Sequence, residues 1–318
     1  MHLLVTGGAG FIGSHFVDLI LAETDATVTV LDKLTYAGNL ENLAAHETDA
    51  RYRFVQGDIA DPGAAGPLVA EADRVVNFAA ESFVDRSIED SAVFVLSNIL
   101  GTQVLLEACR RDGTPMLQVS TDEVYGSIVD GSFREGDPLL PNSPYAATKA
   151  GAELLCRSYF VTYGLPVTAV RGSNAYGPRQ HPEKAIPVYT AAALAGRPLP
   201  VYGDGSNRRE WLYVGDFAGA VHTAMERGEP GGTYNIGGGH ELPNLELAKR
   251  ICALTGAPES LIAFVEDRPG HDFRYSLVWD GLRGLGWEPE TSFEDGLAGT
   301  VDWFRANPHR LQQPEPVR

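Results

Sequence analysis

A glycine-rich turn close to the N-terminus constrains the fold more than any other feature of the sequence. It reads Gly7-Gly8-Ala9-Gly10-Phe11-Ile12-Gly13, and it lies between an apolar run typical of a buried strand (His2–Thr6) and a segment with helical periodicity. Glycines permit the tight turn, and they allow a pyrophosphate to approach the free N–H groups at the helix N-terminus. A flexible loop is the alternative for a glycine motif alone, but the strand–turn–helix context predicts a dinucleotide-binding fold.

Strand-like and helical segments alternate through the first half of the chain. The predicted strands are residues 2–6, 27–31, 52–56, 74–78, 116–120 and 167–171, and the predicted helices are residues 14–22, 92–111 and 144–163. This alternation indicates a parallel sheet with helices on both faces, and right-handed crossovers make it doubly wound. We therefore predict an α/β fold with a Rossmann domain over residues 1–171, to which a segment at about 212–236 returns.

The second half of the chain has irregular turns rich in glycine and proline. Helical periodicity returns at residues 184–195, 216–227, 245–254 and 293–304. We expect a second, smaller mixed α/β domain, formed by residues 172–211 and 237–308, that binds the substrate. Residues 309–318 are predicted to be a tail.

The composition disfavours several classes of partner. A net charge of −17 opposes binding to nucleic acid or to an anionic membrane. No continuous apolar run approaches the roughly 20 residues that cross a bilayer. Three scattered cysteines, without a CxxC pair or a histidine cluster, argue against a disulfide framework and a metal site. We expect a cytoplasmic protein with no metal, no membrane partner and no nucleic-acid partner.

Two acidic residues extend the predicted cofactor site. Asp32 ends the second strand, where a carboxylate accepts both ribose hydroxyls of NAD and repels the 2′-phosphate of NADP. Lys33 beside it keeps NADP open as an alternative. Asp58 follows the third strand at the level of the adenine, although a plain turn at Gly57-Asp58-Ile59 is the alternative.

A Tyr-x-x-x-Lys pair supplies the first candidate catalytic residues. Tyr145 and Lys149 share one face of a helix that begins at Ser143 and Pro144. We expect the lysine ammonium to lower the pKa of the phenol from about 10 toward neutrality. Tyr145 would then remove a proton from a substrate hydroxyl while hydride leaves for a nicotinamide. Such pairs occur by chance in many helices, and the glycine turn upstream makes this one significant.

A second reactive group follows the fifth strand, at the sheet edge where ligands bind in such folds. It is Thr121-Asp122-Glu123, and Thr121 can hydrogen-bond the hydroxyl that Tyr145 attacks. Elimination of water across two carbons needs an acid and a base, and two carboxyls in one closed site can divide these roles. An acidic loop exposed to solvent is the alternative for an Asp-Glu pair.

Together these residues resemble the extended short-chain dehydrogenase/reductase superfamily, and within it the dTDP-glucose 4,6-dehydratases. The resemblance covers about residues 1–308. It is carried by residues 32–39, 79–82, 84–87, 121–126, 182–184, 209–212, 234–238 and 267–272. Among these segments, Thr121-Asp122-Glu123 separates the dehydratases from sibling epimerases.

The resemblance implies a role for each reactive side chain. Tyr145 would deprotonate the sugar 4-hydroxyl as hydride passes from C4 to NAD. Glu123 would remove the C5 proton, and Asp122 would protonate the departing 6-hydroxyl. Return of the hydride to C6 would give a 4-keto-6-deoxy sugar with the cofactor regenerated, so NAD is expected to stay bound.

The resemblance also implies which residues contact the ligands. The expected NAD contacts are Gly7, Gly10, Phe11, Ile12, Gly13, Asp32, Lys33, Leu34, Thr35, Asp58, Ile59, Phe78, Ala79, Ala80, Ser97, Tyr145 and Lys149. The expected contacts to the sugar nucleotide are Ser82, Thr121, Asn174, Lys184, Ala185, Pro200, Val201, Tyr202, Arg209, Asn244, Arg268 and His271. Lys184 and Arg209 suit a diphosphate, with Arg208 or a purely structural ion pair as the alternatives at Arg209. Residues 92–111 and 144–163 are expected to form a homodimer interface, or else to be ordinary core helices.

Four positions depart from the family pattern. Gly172 and Ala175 replace a cysteine and an asparagine, so we expect an empty side-chain position at 172 and one polar contact fewer at 175. Phe83 and Phe273 replace a histidine and an arginine. The base and the hexose stay open, as do two other functions: a nucleotide-sugar 4-epimerase and a non-catalytic, NAD-binding regulatory protein.

Overall fold

The central sheet of the protein has seven parallel strands. The strands of the chain are β1 (His2–Thr6), β2 (Thr27–Asp32), β3 (Tyr52–Gln56), β4 (Arg74–Asn77), β5 (Met116–Thr121), β6 (Val167–Gly172), β7 (Asn174–Tyr176), β8 (Leu199–Tyr202), β9 (Arg208–Tyr213), β10 (Thr233–Ile236), β11 (His240–Pro243) and β12 (Ile262–Val265). In the computed structural model, which describes residues 1–267 and 271–312, the order of the central sheet is β10-β6-β5-β4-β1-β2-β3. Every neighbouring pair is parallel. The strand order reverses between β1 and β4, which confirms the predicted doubly wound Rossmann fold.

Helices cover both faces of this sheet. They are α1 (Phe11–Glu23), α2 (Pro62–Glu71), α3 (Val84–Glu89), α4 (Ala92–Phe94), α5 (Gly101–Asp112), α6 (Pro144–Tyr163), α7 (Ala185–Leu194), α8 (Val214–Arg227), α9 (Asn244–Thr255), α10 (Asp280–Gly284) and α11 (Phe293–Ala306). A π-helical stretch spans Val95–Leu100, and 3₁₀ turns span Leu40–His46, Asp122–Tyr125, Glu259–Leu261 and Pro308–Leu311. Side chains alternate across β1, so that Leu3 and Val5 pack with α1 and α8 while Leu4 packs with α2, α5 and α6.

The helices near the N-terminus differ in part from the prediction. Helix α1 begins at Phe11 rather than at Ser14, because Gly10 of the glycine turn is itself the N-cap. Helices α2 and α3 lie outside the predicted helices. The sequence of α2 contains two prolines and two glycines, residues that patterns assign to turns. Asp61 nevertheless caps α2 by accepting a hydrogen bond from the Gly63 N–H (2.8 Å), and proline is compatible with a first helical turn.

Helix α4, the π-helical stretch and α5 form one continuous helix, Ala92–Asp112. By length and composition alone it is apolar enough to cross a membrane, with a mean hydropathy of 1.6, which corrects the expectation that no segment approaches that length. Its contacts indicate a different role. Helix α5 packs against α2 and α6, and the buried Asn98 side chain donates to the Glu81 carbonyl (3.0 Å) and to Thr148 Oγ1 (2.9 Å). We interpret it as a helix that packs one face onto the Rossmann core, not as a membrane span.

Two small sheets follow the carboxyl end of β6. Strand β9 pairs in parallel with β7 and antiparallel with β11, and β8 pairs in parallel with β12. Helices α7, α9 and α11 pack with these strands around a separate core that includes Leu199, Leu247 and Phe293. The mixed sheet confirms the second, mixed α/β part. Of the predicted return segment, Thr233–Ile236 joins the central sheet beside β6. The domain boundaries at residues 171, 211 and 237 stay a prediction.

The predicted tail begins within the packed part of the chain. Arg310, in the last 3₁₀ turn, donates a hydrogen bond to the Asn42 side chain (2.6 Å). This contact fixes the start of the segment against the loop after β2. Residues 313–318 lie outside the described residues.

Candidate active site

A cleft of about 670 Å³ opens at the carboxyl ends of the central strands. Residues that end or follow β1, β2, β4, β5 and β6 form one side of it, and residues from the smaller sheets form the other side. This edge is where ligands bind in open α/β sheets. All five predicted catalytic residues line the cleft: Thr121, Asp122, Glu123, Tyr145 and Lys149.

The predicted cofactor residues line the same cleft, with one exception. Those that line it are Gly7, Gly10, Phe11, Ile12, Gly13, Asp32, Lys33, Thr35, Asp58, Ile59, Phe78, Ala79, Ala80, Ser97, Tyr145 and Lys149. Leu34 is the exception, since its side chain packs against the core. Its backbone has a positive φ of 56° and donates an N–H to Asp32 Oδ1 (2.8 Å). Leu34 therefore supports the cofactor site through its main-chain N–H, which holds the Asp32 carboxylate.

The glycine turn leaves room for a ligand because side chains there would collide with the backbone. A Cβ on Gly7, which has a positive φ of 69°, would lie 2.5 Å from Ala79 N. A Cβ on Gly13 would lie 2.4 Å from the Gly7 carbonyl oxygen. The turn therefore places bare backbone against the cleft at the start of α1, which is the geometry that a pyrophosphate requires.

The Asp32 carboxylate is held rigidly at the rim of the cleft. It accepts hydrogen bonds from the N–H groups of Leu34 and Ala9 (2.8 and 3.0 Å), and burial raises its pKa. Lys33, the residue that kept NADP open, forms an ion pair with Asp58 (2.8 Å). Because Asp58 neutralises this lysine, the local charge favours ribose hydroxyls over a 2′-phosphate.

Tyr145 does not have the lowered pKa that the sequence predicts. Its phenol is buried, and burial followed by the charge of Glu123 raises its pKa, against a hydrogen bond with Thr121 that lowers it. The expectation about Lys149 is corrected as well. Its Nζ donates to the Val119 carbonyl (2.6 Å), and burial lowers its pKa to about 8. The reason in both cases is desolvation, which disfavours a charged phenolate and a charged ammonium alike.

Asp122 and Glu123 occupy a 3₁₀ turn directly after β5. Thr121 caps this turn by accepting from the Glu123 N–H (3.3 Å). Asp122 is 2% exposed, and burial together with the nearby charges of Glu123 and Glu210 raises its pKa well above the usual range. A raised pKa of this kind favours the protonated form of the Asp122 carboxyl. The alternative of a solvent-exposed acidic loop is therefore excluded for Asp122.

A buried network anchors the turn that carries this pair. The Tyr125 hydroxyl donates to Asn235 Oδ1 (2.7 Å), and the Arg171 guanidinium lies over the Tyr125 ring (4.7 Å to its centroid). Arg171 also donates from Nε to both carboxylate oxygens of Glu153 (3.0 Å each), so neither buried charge is uncompensated. The network holds Tyr125 in place, and with it the position of Asp122.

A cationic group lies at the other end of the cleft. Arg209 Nη2 is 2.6 Å from His271 Nε2, and His271 Nδ1 is 2.6 Å from Asp267 Oδ1. The Arg209 guanidinium also lies over the Tyr275 ring (4.8 Å to its centroid). Arg208, the alternative to Arg209, does not line the cleft and pairs with Glu241.

Most predicted substrate residues share this end or the middle of the cleft. Those that line it are Ser82, Thr121, Asn174, Lys184, Ala185, Pro200, Tyr202, Arg209, Asn244 and His271. Val201 does not, because the alternation of β8 directs it into the core, where it is fully buried. Arg268 lies outside the described residues. Lys184 Nζ donates to the Ser82 carbonyl (3.2 Å) and lies over the Phe83 ring (5.2 Å to its centroid).

Comparisons with known proteins agree with this geometry. The family model described as GDP-mannose 4,6 dehydratase matches residues 4–300. The chain belongs to this family. Among similar relatives, the low-salt glycan biosynthesis protein Agl12 of Haloferax volcanii is 54% identical, covering 96% of this chain and 98% of the relative. The dTDP-glucose 4,6-dehydratase of an Actinoplanes species is 53% identical, with coverage of 96% and 98%. The dTDP-glucose 4,6-dehydratase DesIV of Streptomyces venezuelae, crystallised with NAD and TYD bound, is 50% identical with a TM-score of 0.96, and the match covers all of both chains.

Further residues of this 4,6-dehydratase cleft were not found by the sequence analysis. They include Gln180, His181, Tyr189, Trp211 and Tyr275. Three residues of the cleft lining carry a buried polar atom without a hydrogen-bond partner among the described residues. These atoms are Gln180 Oε1, Trp211 Nε1 and Asn174 Oδ1. Such atoms are costly unless a ligand or water satisfies them, so the cleft fits a polar ligand. Gln180 and His181 directly precede the Pro182-Glu183-Lys184 segment, which is the signal that could have found them.

The departures from the family pattern have different structural outcomes. Position 172 is not empty as expected, because the Phe217 ring fills it. Ala175 lines the cleft with a methyl group alone, in agreement with the loss of one polar contact. Phe83 also lines the cleft, whereas Phe273 is 42% exposed and does not.

Proposed function

We propose that the protein is an NAD-dependent 4,6-dehydratase that converts dTDP-glucose to the 4-keto-6-deoxy sugar nucleotide. One observation carries the proposal: the buried acid Asp122 and a second carboxyl, Glu123, line one cleft with Tyr145. A 4-epimerase needs the tyrosine and the lysine but no acid–base carboxyl pair. The DesIV enzyme with NAD and TYD bound supports the choice of cofactor and nucleotide.

The cleft fits NAD in its backbone and in its charge. The glycine turn would hold the pyrophosphate, and Asp32 would accept the hydroxyls of the adenosine ribose. When bound, NAD would supply a hydride acceptor for sugar C4 in its oxidised form and a hydride donor for C6 in its reduced form, and the positive charge of the oxidised form would favour the Tyr145 phenolate. Lys149, fixed on the Val119 carbonyl, would line the nicotinamide end.

The protein's own residues move the protons. Tyr145 takes the proton of the sugar 4-hydroxyl, and Thr121, which hydrogen-bonds the Tyr145 side chain, orients it. Burial raises the pKa of Asp122 and so favours its protonated form, which suits it to donate a proton to the departing 6-hydroxyl. Glu123 takes the proton from C5 and returns a proton to C5 when hydride reaches C6. The water that leaves is thus balanced by one proton donated and one removed.

At the substrate end, Lys184 and Arg209 would bind the diphosphate. Both line the cleft, and the neighbouring Arg208 is engaged by Glu241. Guanidinium and ammonium groups form charge-assisted hydrogen bonds with phosphate oxygens. In a chain with a net charge of −17, such a local group of cations is what an anionic substrate requires.

The decisive experiment is a product assay on the purified protein with dTDP-glucose, read by mass spectrometry for loss of water. The Asp122→Asn and Glu123→Gln variants are expected to lose about 10²- to 10⁴-fold in kcat with NAD still bound. Glu226→Gln, an exposed position on α8, is the matched control and should keep wild-type turnover. Recovery of the galactose isomer alone would reject dehydration, whereas unchanged turnover in both carboxyl variants would contradict the roles assigned to Asp122 and Glu123.

We further propose a cytoplasmic homodimer. Val93, Leu96 and Leu100 are exposed on one face of the helix Ala92–Asp112, and Leu154 and Val161 are exposed on the adjacent α6. A self-complementary apolar face of this kind suits a second copy of the chain. Light scattering should give twice the monomer mass, and Leu96→Glu should halve it. The three buried cysteines are free thiols, which suits the reducing cytoplasm. Finding the protein exported with disulfide bonds would contradict the proposed location.

A further inference from the structure

The Phe217 ring packs directly against the backbone of Gly172, and both residues line the cleft. Gly172 ends β6 and pairs in the sheet with Thr121 of β5. A Cβ on Gly172 would lie 2.2 Å from Cε2 and 2.4 Å from Cζ of the Phe217 ring. These distances are far inside van der Waals contact, so the ring takes the space that a side chain at position 172 would need. The position of the ring therefore depends on glycine at 172.

The Phe217 ring reaches from the core to the cleft. It lies on α8, is 2% exposed, and belongs to the core cluster that includes Val170 and Leu212. The same side chain lines the cleft, next to Gly172 and Ala175. Helix α8 packs against α1, the helix that begins at the glycine turn, and this packing fixes the Phe217 ring on its core side. It is a fixed apolar wall.

Two buried hydroxyl groups line the same cleft, one in β5 and one between β6 and β7. Ser120 Oγ and Ser173 Oγ have no hydrogen-bond partner among the described residues, and both serines line the cleft. Ser120 precedes Thr121 in β5, and Ser173 follows Gly172. The cleft thus combines an apolar ring with unsatisfied hydroxyls, which suits a flat heteroaromatic ligand that carries an amide.

We propose that Phe217, admitted by Gly172, is a cofactor-positioning residue that walls the nicotinamide end of the cleft. The inference rests on the proposed function, because it assigns this end to the nicotinamide. The ring contacts the cofactor by apolar packing and excludes water beside Thr121. Since the hydride removed from the sugar must return to it, a wall that retains the reduced cofactor also protects the second half of the reaction.

The test compares two truncations on the same helix. Phe217→Ala opens the wall, whereas Val221→Ala, fully buried in the same core but not lining the cleft, is the matched control. Calorimetric titration of the apoprotein should show NAD binding weakened about 3- to 10-fold in Phe217→Ala. It should be unchanged in Val221→Ala. Phe217→Leu, which keeps apolar volume, serves if the alanine variant does not fold, and it should weaken NAD binding in the same direction.

A double variant tests the coupling between the two positions. Gly172→Ala should weaken NAD binding by displacing the ring, and Phe217→Ala added to it should recover part of that loss, so the two effects are not additive. Additive effects, or equal NAD affinity in Phe217→Ala and wild type, overturn the proposal, as does a wild type that binds no NAD. A protein that binds NAD in the Phe217-dependent way but forms no dehydrated product would refute the proposed function alone.

Discussion

The two ends of the cleft meet the same electrostatic demand with different groups. NAD and a sugar nucleotide each carry a diphosphate. At the cofactor end the positive partner is the bare backbone of the glycine turn, and the side chains are acidic, with Asp32 at the rim and Asp58 engaging Lys33. At the substrate end, the side chains of Lys184 and Arg209 supply the positive charge. At the cofactor end, backbone N–H groups bind the pyrophosphate, so the side chains there are free to select the ribose. At the substrate end, side chains bind the diphosphate, and these side chains come from segments that are far apart in the sequence.

Of the changes that separate the two ends, the one at the substrate end should have the largest effect. Arg209→Met removes a cleft-lining guanidinium, and a lost charge-assisted hydrogen bond to phosphate corresponds to about a 10- to 100-fold rise in KM for dTDP-glucose. NAD affinity should stay at the wild-type value, since the cofactor end holds its pyrophosphate by backbone groups. Steady-state kinetics at saturating NAD and calorimetric titration with NAD check both parts.

The neighbouring arginine provides the matched control for this prediction. Arg208→Met removes a cation of the same kind that pairs with Glu241 outside the cleft. Its KM should change less than about twofold, in line with an exposed ion pair. If both variants raise KM equally, general charge attraction rather than a specific contact binds the substrate, and the contrast between the two ends is lost.

A smaller effect is expected at the cofactor end. Asp32→Asn keeps an oxygen acceptor for the Ala9 and Leu34 N–H groups but removes the charge. NAD should bind about tenfold more weakly, NADP relatively better, and the KM for dTDP-glucose at saturating NAD should not change. Titrations with both cofactors measure this, with the exposed Asp25→Asn as control. Unaltered discrimination against NADP would show that Asp32 does not select the cofactor.

How far the sequence predicts the site follows the same division. The cofactor end is local in sequence, because the glycine turn and Asp58 follow strands and Asp32 ends one. Their spacing therefore predicts them. The sequence correctly predicts that Tyr145 and Lys149 lie in the cleft, but it does not predict the direction of their pKa shifts. Those shifts depend on burial, which residue spacing does not report. At the substrate end, Tyr275 approaches Arg209 only through the folded chain. The pairing of Gly172 with Phe217 is of the same non-local kind, because the two residues lie on different elements and the sequence alone predicts an empty position at 172.

The smallest expected effect concerns the junction between the two ends, where Lys149 is a buried cation. Charges at the rim have carboxylate or solvent neighbours, as Lys33 has Asp58. The hydrogen-bond partner of the Lys149 ammonium is the Val119 carbonyl, and burial lowers its pKa from 10.5 to about 8. A protonated Lys149 therefore reduces the stability of the folded state at neutral pH, which makes this junction a place where function opposes stability.

The sign of the pH dependence follows from these two values. Below about pH 8 both the folded and the unfolded states carry the proton, and the folded state bears the full cost of burying it. Between about 8 and 10.5 the folded state loses this proton first, so the unfolded state binds more protons and the cost declines as the pH rises. Lys149→Met removes this contribution together with one donor of the Val119 carbonyl, which still accepts from Gln118 Nε2 (3.3 Å). The loss of that one hydrogen bond does not vary with pH. Urea denaturation of both proteins should therefore show stability of the wild type rising relative to the variant across this window. If the difference in unfolding free energy between the two proteins is constant with pH, the Lys149 ammonium is solvated in the folded state, as the charges at the rim of the cleft are.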